Sequence, residues 1–374
     1  MKSTLYISVI FIFIVSCTRK DPIKKTYFFD ENNSLEISIK NIECKFIPLE
    51  TTNECLFNDV HTIEINNDTI FLITKKYRSI FAFDIKGNFI GEIGKIGNGP
   101  GEQLRPSSFH INRKNNEIII ADMSKQSLLY YDLTNFQYKY SKKSFMFFNC
   151  CWLPDGNIAW VYHGYKGEKR NYYNVKITDN NIQEIARLND TKFSPQYIIT
   201  LGNMIYKYNN NHYLNLPYEP TIYKITSKSV EPVFTVDFGK YKFASKEWLC
   251  HNAMDHYYST ISKTDYISAC NIQETKNYIG ASFLYKGNNI YTAFYNKKKN
   301  ISCIIQGNDF IDKSGLIGIS PIKGTDGDYF ISLIYPATLK NKKIKRKDLL
   351  DFSKQISEDD NPIICLFRFK NQSI

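Results

Sequence analysis

Short runs of β-branched and aromatic residues alternate along the chain with turns rich in Asn, Asp, Gly and Lys. A period of two with such punctuation predicts half-buried strands joined as hairpins. Residues 70–74 pair with 79–84 in this reading, and the turn Lys86-Gly87-Asn88 leads on to 89–93. Residues 118–122 pair with 128–132, followed by 137–140, and 157–162 pair with 172–178. Further on, 212–215 pairs with 221–225, 278–285 meets 289–295 across Gly287-Asn288, and 329–334 meets 362–369 across a long insertion. The result is six hairpins, recurring about every 40 to 55 residues.

A small twisted sheet cannot bury both of its faces alone, so such units must stack side by side and close into a ring. Dividing the body of the chain gives about 60 residues per unit for six blades and about 51 for seven; the visible hairpins select six. Two stretches interrupt the rhythm with helix formers, near 245–261 and 344–357. The strand around 43–48 has no neighbour in sequence, and the last hairpin has no outer strand after Phe369. Pairing those two ends hides both open edges. The expected fold is all-β: a six-bladed β-propeller closed by an N-terminal strand, with short helical insertions.

The N-terminus carries a different signal. Lys2 is followed by an apolar run over residues 5–15, broken only by Ser8, and then by Ile14-Val15-Ser16-Cys17. That run suits a signal peptide and is too short to span a bilayer. The small residue directly before Cys17 resembles a bacterial lipobox, which implies that 1–16 is a lipoprotein signal peptide and that Cys17 becomes an acylated N-terminus. Residues 17–40 then form a polar tether, and 41–374 the folded body. Each buried methylene of the acyl chains adds about 0.8 kcal/mol of membrane affinity. Thr18-Arg19-Lys20-Asp21-Pro22 lacks an acidic run, so the anchor is expected on the periplasmic side of the outer membrane, with the cell surface as the alternative.

Composition sharpens the picture. Apolar residues make up 43 % and charged residues 23 %, with 27 Tyr and 26 Phe, which excludes a disordered or multi-span chain. The formal charge of +11 falls to +10 without Lys2. Such an excess usually suggests nucleic acid, but export removes that partner. Much of it sits in one cluster, Lys340 to Lys347, expected to be a solvated insertion. The eight cysteines beyond Cys17 show neither a C-x-x-C pair nor zinc spacing; Cys303 and Cys365 are expected as buried free thiols.

Several segments resemble a known repeat. Ile80-Phe81-Ala82-Phe83-Asp84-Ile85-Lys86-Gly87-Asn88-Phe89, then Gly97-Asn98-Gly99-Pro100-Gly101-Glu102, Pro106 and Ile118-Ile119-Ile120-Ala121-Asp122, are similar to the NHL-type propeller repeat. With the lipobox, Pro220-Thr221-Ile222-Tyr223-Lys224-Ile225 and Asn361-Pro362-Ile363-Ile364, the chain resembles the six-bladed β-propeller lipoproteins of Bacteroidetes. That resemblance implies fold and address and brings no catalytic motif with it.

Candidate chemistry is sparse. The Gly97–Gly101 loop lacks the Lys-Ser/Thr and helix of a P-loop and reads as a crossover between blades. His251 and His256 are five apart, about 140° around a helix, so they do not share a metal. Glu102, Arg105, His110, Asp122, Trp152 and His163 are the residues whose positions suit a channel or rim binding site. No cofactor, metal site or catalytic residue is assigned. The expected function is a lipid-anchored envelope module, monomeric, that binds a protein or glycan partner and no nucleic acid. The alternative is a lactonase-like, metal-dependent hydrolase or lyase with scattered channel ligands.

Overall fold

The computed structural model describes residues 25–30, 35–74, 79–166, 172–191, 199–253, 256–340 and 342–370, apart from the side chains of 163–166, 172–173 and 189–191. Six sheets form the blades around one axis, five of four antiparallel strands and one extended to five by a parallel strand, and a short parallel pair, Lys95–Ile96 with Glu102–Gln103, lies between the first two. Blade 1 contains Val60–Asn66, Thr69–Thr74, Ile80–Asp84 and Phe89–Glu92. Blade 2 contains Pro106–Asn112, Glu117–Asp122, Ser127–Asp132 and Tyr138–Lys143. Blade 3 contains Asn149–Trp152, Ile158–Lys166, Tyr172–Thr178 and Glu184–Thr191. Blade 4 contains Ile205–Tyr208, Asn211–Asn215, Thr221–Ile225 and Val230–Asp237. Blade 5 contains Ile267–Glu274, Tyr278–Tyr285, Asn289–Asn296 and Ile301–Gln306.

Blade 6 is made from both ends of the chain. Gly324–Asp326, Tyr329–Ile334 and Ile363–Phe369 come from the C-terminal part, and Ile42–Pro48 adds the outermost strand. The closing strand runs antiparallel to Ile363–Phe369 in continuous register from Ile42 opposite Phe369 to Pro48 opposite Ile363. All six hairpins expected from the period-two runs are paired in this structure.

Six apolar clusters occupy the six boundaries between neighbouring blades. This arrangement explains why the second strands are apolar on both faces: Glu117–Asp122 is buried at every position, because each face meets an adjacent blade. Trp160 is fully buried between blades 2 and 3, where Phe145 and Phe147 approach edge-on at 4.9 Å and its Nε1 donates to Thr178 Oγ1 at 2.9 Å. Cys303 and Cys365 are buried free thiols, as expected, and burial pushes the Cys303 thiol up to about 12.

Three features depart from the sequence reading. The polar tether contains a strand, Thr26–Phe28, laid parallel on the outer strand of blade 4, with Tyr27 and Phe29 buried against Tyr295. Its three residues are too short a run for periodicity to register. An unforeseen helix, α3 (Gly307–Ser314), follows blade 5, while the two expected insertions hold α1 (Lys246–Asn252) with α2 (Tyr257–Ile261), and α4 (Lys347–Ser353). The basic cluster is not wholly solvated: Arg346 is buried and its guanidinium donates to the carbonyls of Ile42 and Ser314 and to Asp348 at 2.9 Å. A buried guanidinium needs such partners to offset its desolvation, and these tie the insertion to the closing strand.

Candidate functional site

The first strand of every blade lies innermost, and residues from all six line one central channel of about 710 Å³. The inner strands bring residues from six distant places in the sequence to one channel. Thr62 of blade 1 spans to the segment before blade 4, its Oγ1 donating to Asn203 Oδ1 at 3.0 Å. Lys323 donates to the Val60 carbonyl at 3.1 Å. Glu274 of blade 5 is paired with Lys297 at 2.8 Å, and that ammonium also sits 4.6 Å from the Tyr208 ring centre.

His110 and Trp152 meet in the channel wall, although they come from blades 2 and 3. Their rings stack at 4.9 Å with an angle of 10°. His212 joins them from blade 4, where it lies opposite Lys207 in the hairpin register. Burial, with help from the Lys207 charge, lowers the pKa of each imidazole from the usual range to about 4. Both are therefore neutral at pH 7. The Glu64 carboxyl reaches water within the channel, yet the surrounding walls push its pKa up, against the pull of Asn66 and Lys207.

Two buried polar atoms in this wall, Trp152 Nε1 and His212 Nδ1, have no hydrogen-bond partner among the described residues. Such atoms are uncommon in folded proteins and costly when left unmet. Burial pushes the Cys150 thiol beside them up to about 12 and raises Cys151 as well, which favours the protonated thiol over the nucleophilic thiolate at neutral pH.

The other expected site residues lie elsewhere. The Asp122 carboxylate is fully buried and accepts from the backbone N–H groups of Leu104, Arg105 and Lys125 at 2.6, 3.1 and 2.9 Å. Glu102 Oε2 accepts from Gly99 N–H at 2.7 Å, and the Glu102 carbonyl accepts from Lys125 Nζ at 2.6 Å. Asp122 and Glu102 staple the crossover between blades 1 and 2, so their oxygens are occupied by the fold, and Arg105 is exposed beside them. Gly101 there has φ +73°, and a Cβ would lie 2.6 Å from Tyr138 Cγ, which requires glycine. His163 falls in a blade 3 strand with its side chain outside the described residues, as is all of Cys17.

The sequence reading missed Lys207, His212, Glu64 and Glu274. The pairing of 212–215 with 221–225 was readable, but nothing local marks which residues of a hairpin face the axis. Among the described residues no three His, Cys, Asp or Glu side chains come together to hold a metal ion. No helix among them is long and apolar enough to cross a membrane.

A family model described as a 6-bladed beta-propeller matches residues 22–332. Among solved structures, a protein of Bacteroides fragilis described as exported is similar at 24 % identity and a TM-score of 0.85, over 93 % of this chain and all of that one. A DUF4221-family protein of Bacteroides vulgatus is similar at 13 % identity and a TM-score of 0.53, over 89 % of this chain and 99 % of that one. At these identities the likeness concerns the fold. No curated protein matches.

Proposed function

Since the chain belongs to the DUF5128 family of six-bladed β-propellers, we propose that it is a lipid-anchored binding module of the cell envelope whose recognition site is the mouth of the central channel. The observation that carries this reading is the channel wall itself. Six inner strands converge on a polar cavity in which buried Trp152 and His212 atoms lack a hydrogen-bond partner among the described residues. A folded chain keeps such groups at a cost, and a ligand that meets them recovers it. The NHL-like repeat, clearest across blades 1 and 2, supplies the scaffold in this view, and the site lies on its axis.

In this reading the lipobox-like segment is acylated at Cys17, the lack of an acidic run after it favours the periplasmic side of the outer membrane over the cell surface, and the propeller is held out as a monomer to meet an envelope protein or glycan. Replacing Cys17→Ser is expected to move the protein from the membrane pellet to the soluble fraction of fractionated cells and to abolish labelling by an alkyne fatty acid. Unchanged labelling contradicts the anchor.

Glu64→Trp tests the channel. The side chain it replaces is solvent-accessible at the mouth, so an indole there fills space without breaking the core. Calorimetric titration with envelope glycans and periplasmic peptides should show binding to the wild type and loss of at least tenfold in the variant, with the melting temperature of the free protein unchanged. Equal binding by both proteins overturns the channel as the site.

A further inference from the structure

We propose that the channel mouth takes the end of a neutral, polyhydroxylated ligand, an oligosaccharide, gripped through Trp152, His212 and His110. This rests on the channel being the binding site and adds the chemistry of the ligand.

The lining has no strong field of either sign. Four carboxylates and three lysines contribute to it, and two of these charges are already engaged, Glu274 with Lys297 and Lys323 with the Val60 carbonyl. A wall so balanced draws neither anions nor cations by steering. Six amide side chains, from Asn66 and Asn67 round to Asn203 and Gln273, share the lining, and every amide offers donors and an acceptor together.

The two unmet atoms narrow the class further. Trp152 is only 7 % exposed, and its Nε1 is a donor and nothing else. A neutral imidazole donates or accepts at Nδ1 according to its tautomer. A hydroxyl group accepts from the indole and, with its own proton, serves either tautomer of His212. An ammonium has no lone pair for the indole, and a carboxylate, with no proton to give, meets His212 only in the tautomer that carries its proton on Nδ1. The stack with His110 holds the indole in one plane, so the N–H is fixed before a ligand arrives, which spares the entropy of ordering it. A cavity of about 710 Å³ lies inside the range of roughly 300–1,000 Å³ usual for small-molecule sites.

The test is calorimetric titration of the mature protein at pH 7.5 against three defined sets. These are neutral gluco-, galacto-, manno- and N-acetylglucosamine oligomers, their uronic acid and amino sugar counterparts, and acidic and basic tripeptides. We expect a neutral oligomer to bind, Trp152→Phe to weaken it about tenfold while keeping the ring, and His212→Leu to weaken it similarly. Both variants should retain the far-UV circular dichroism and the cooperative melt of the wild type. Failure of every neutral oligomer overturns the proposal, as does neutral binding that survives both substitutions. Trp152-dependent binding of only a charged sugar or a peptide overturns the ligand class and leaves the channel reading intact. Binding that survives Glu64→Trp overturns the channel reading itself.

Discussion

Starting the chain at Glu50, so that Ile42–Pro48 is gone, abolishes the cooperative monomeric fold. The missing strand supplies the buried side chains of Ile42, Phe46 and Ile47, each contributing about 2 kcal/mol through burial. It also covers the whole edge of Ile363–Phe369, which would then present unpaired backbone groups to other chains. Phe46 packs edge-on against Phe352 of α4 at 5.7 Å, so the insertion loosens with the strand. A loss of this size is comparable with the whole stability of a domain, about 5–15 kcal/mol. Size-exclusion chromatography and a thermal melt check it, and a truncated monomer with an unaltered cooperative melt contradicts ring closure by this strand.

A milder form of the same test uses Asn361. This residue is buried, its Oδ1 accepts from Phe57 N–H at 2.8 Å, and its Nδ2 donates to the carbonyls of Glu50 and Cys55 at 2.7 and 2.8 Å. Asn361→Ala leaves the buried Phe57 N–H and Cys55 carbonyl without this partner, while the Glu50 carbonyl still accepts from Cys55 Sγ, and is expected to cost about 3 kcal/mol in a denaturant titration.

Acid is expected to weaken the protein through its channel histidines. In the unfolded chain His110 and His212 take up protons near pH 6.5, whereas in the fold they do so only near 4. Between those values the unfolded state binds more protons, so stability is complete above about pH 6.5 and falls as the pH drops towards 4. A gap of that width corresponds to about 3 kcal/mol for each imidazole. The neighbouring charges bear on the result: Lys207 adds to the depression of both rings, and the raised Glu64 carboxyl works in the opposite direction over its own window. Half-buried carboxylates with lowered values, such as Glu43 beside Tyr329 and Arg368, lose their contribution only as the pH falls from the ordinary carboxylate range towards their lower folded values. Comparing urea titrations of the wild type with the His110→Phe/His212→Asn double variant isolates the effect. The wild type should lose several kcal/mol more than the variant between pH 6.5 and 4, and parallel curves contradict the buried neutral pair.

Much of the architecture was legible because each blade is a local object. A hairpin such as 278–285 with 289–295 declares itself through alternating residues and a Gly287-Asn288 turn, and neither depends on distant contacts. Closure was legible for a related reason: a strand lacking a neighbour and a blade lacking an edge have one economical solution. The site was not legible in the same way. His110, Trp152 and His212 lie on three blades and meet only because the ring brings inner strands together. Asp122 was misleading, since a carboxylate at the end of an inner hairpin suits a ligand and a turn equally well, and here three backbone amides take it. The strand Thr26–Phe28 escaped notice because its stabilisation is tertiary, from Tyr27 against Phe234 and Tyr295.

On the proposed function, this propeller recognises its ligand at the channel mouth and not on its inserted helices. The chain has three tryptophans, one in each informative place: Trp152 lines the channel, Trp160 lies in a blade boundary, and Trp248 sits on α1 against Tyr266. Fluorine NMR of the protein labelled with 5-fluorotryptophan, assigned by single Trp→Phe substitutions and titrated with the neutral oligosaccharide set, reads all three at once. Binding in the channel should give a saturable shift of the Trp152 resonance with Trp160 and Trp248 unmoved. A shift confined to Trp248, or saturable binding that leaves Trp152 unmoved, would contradict it.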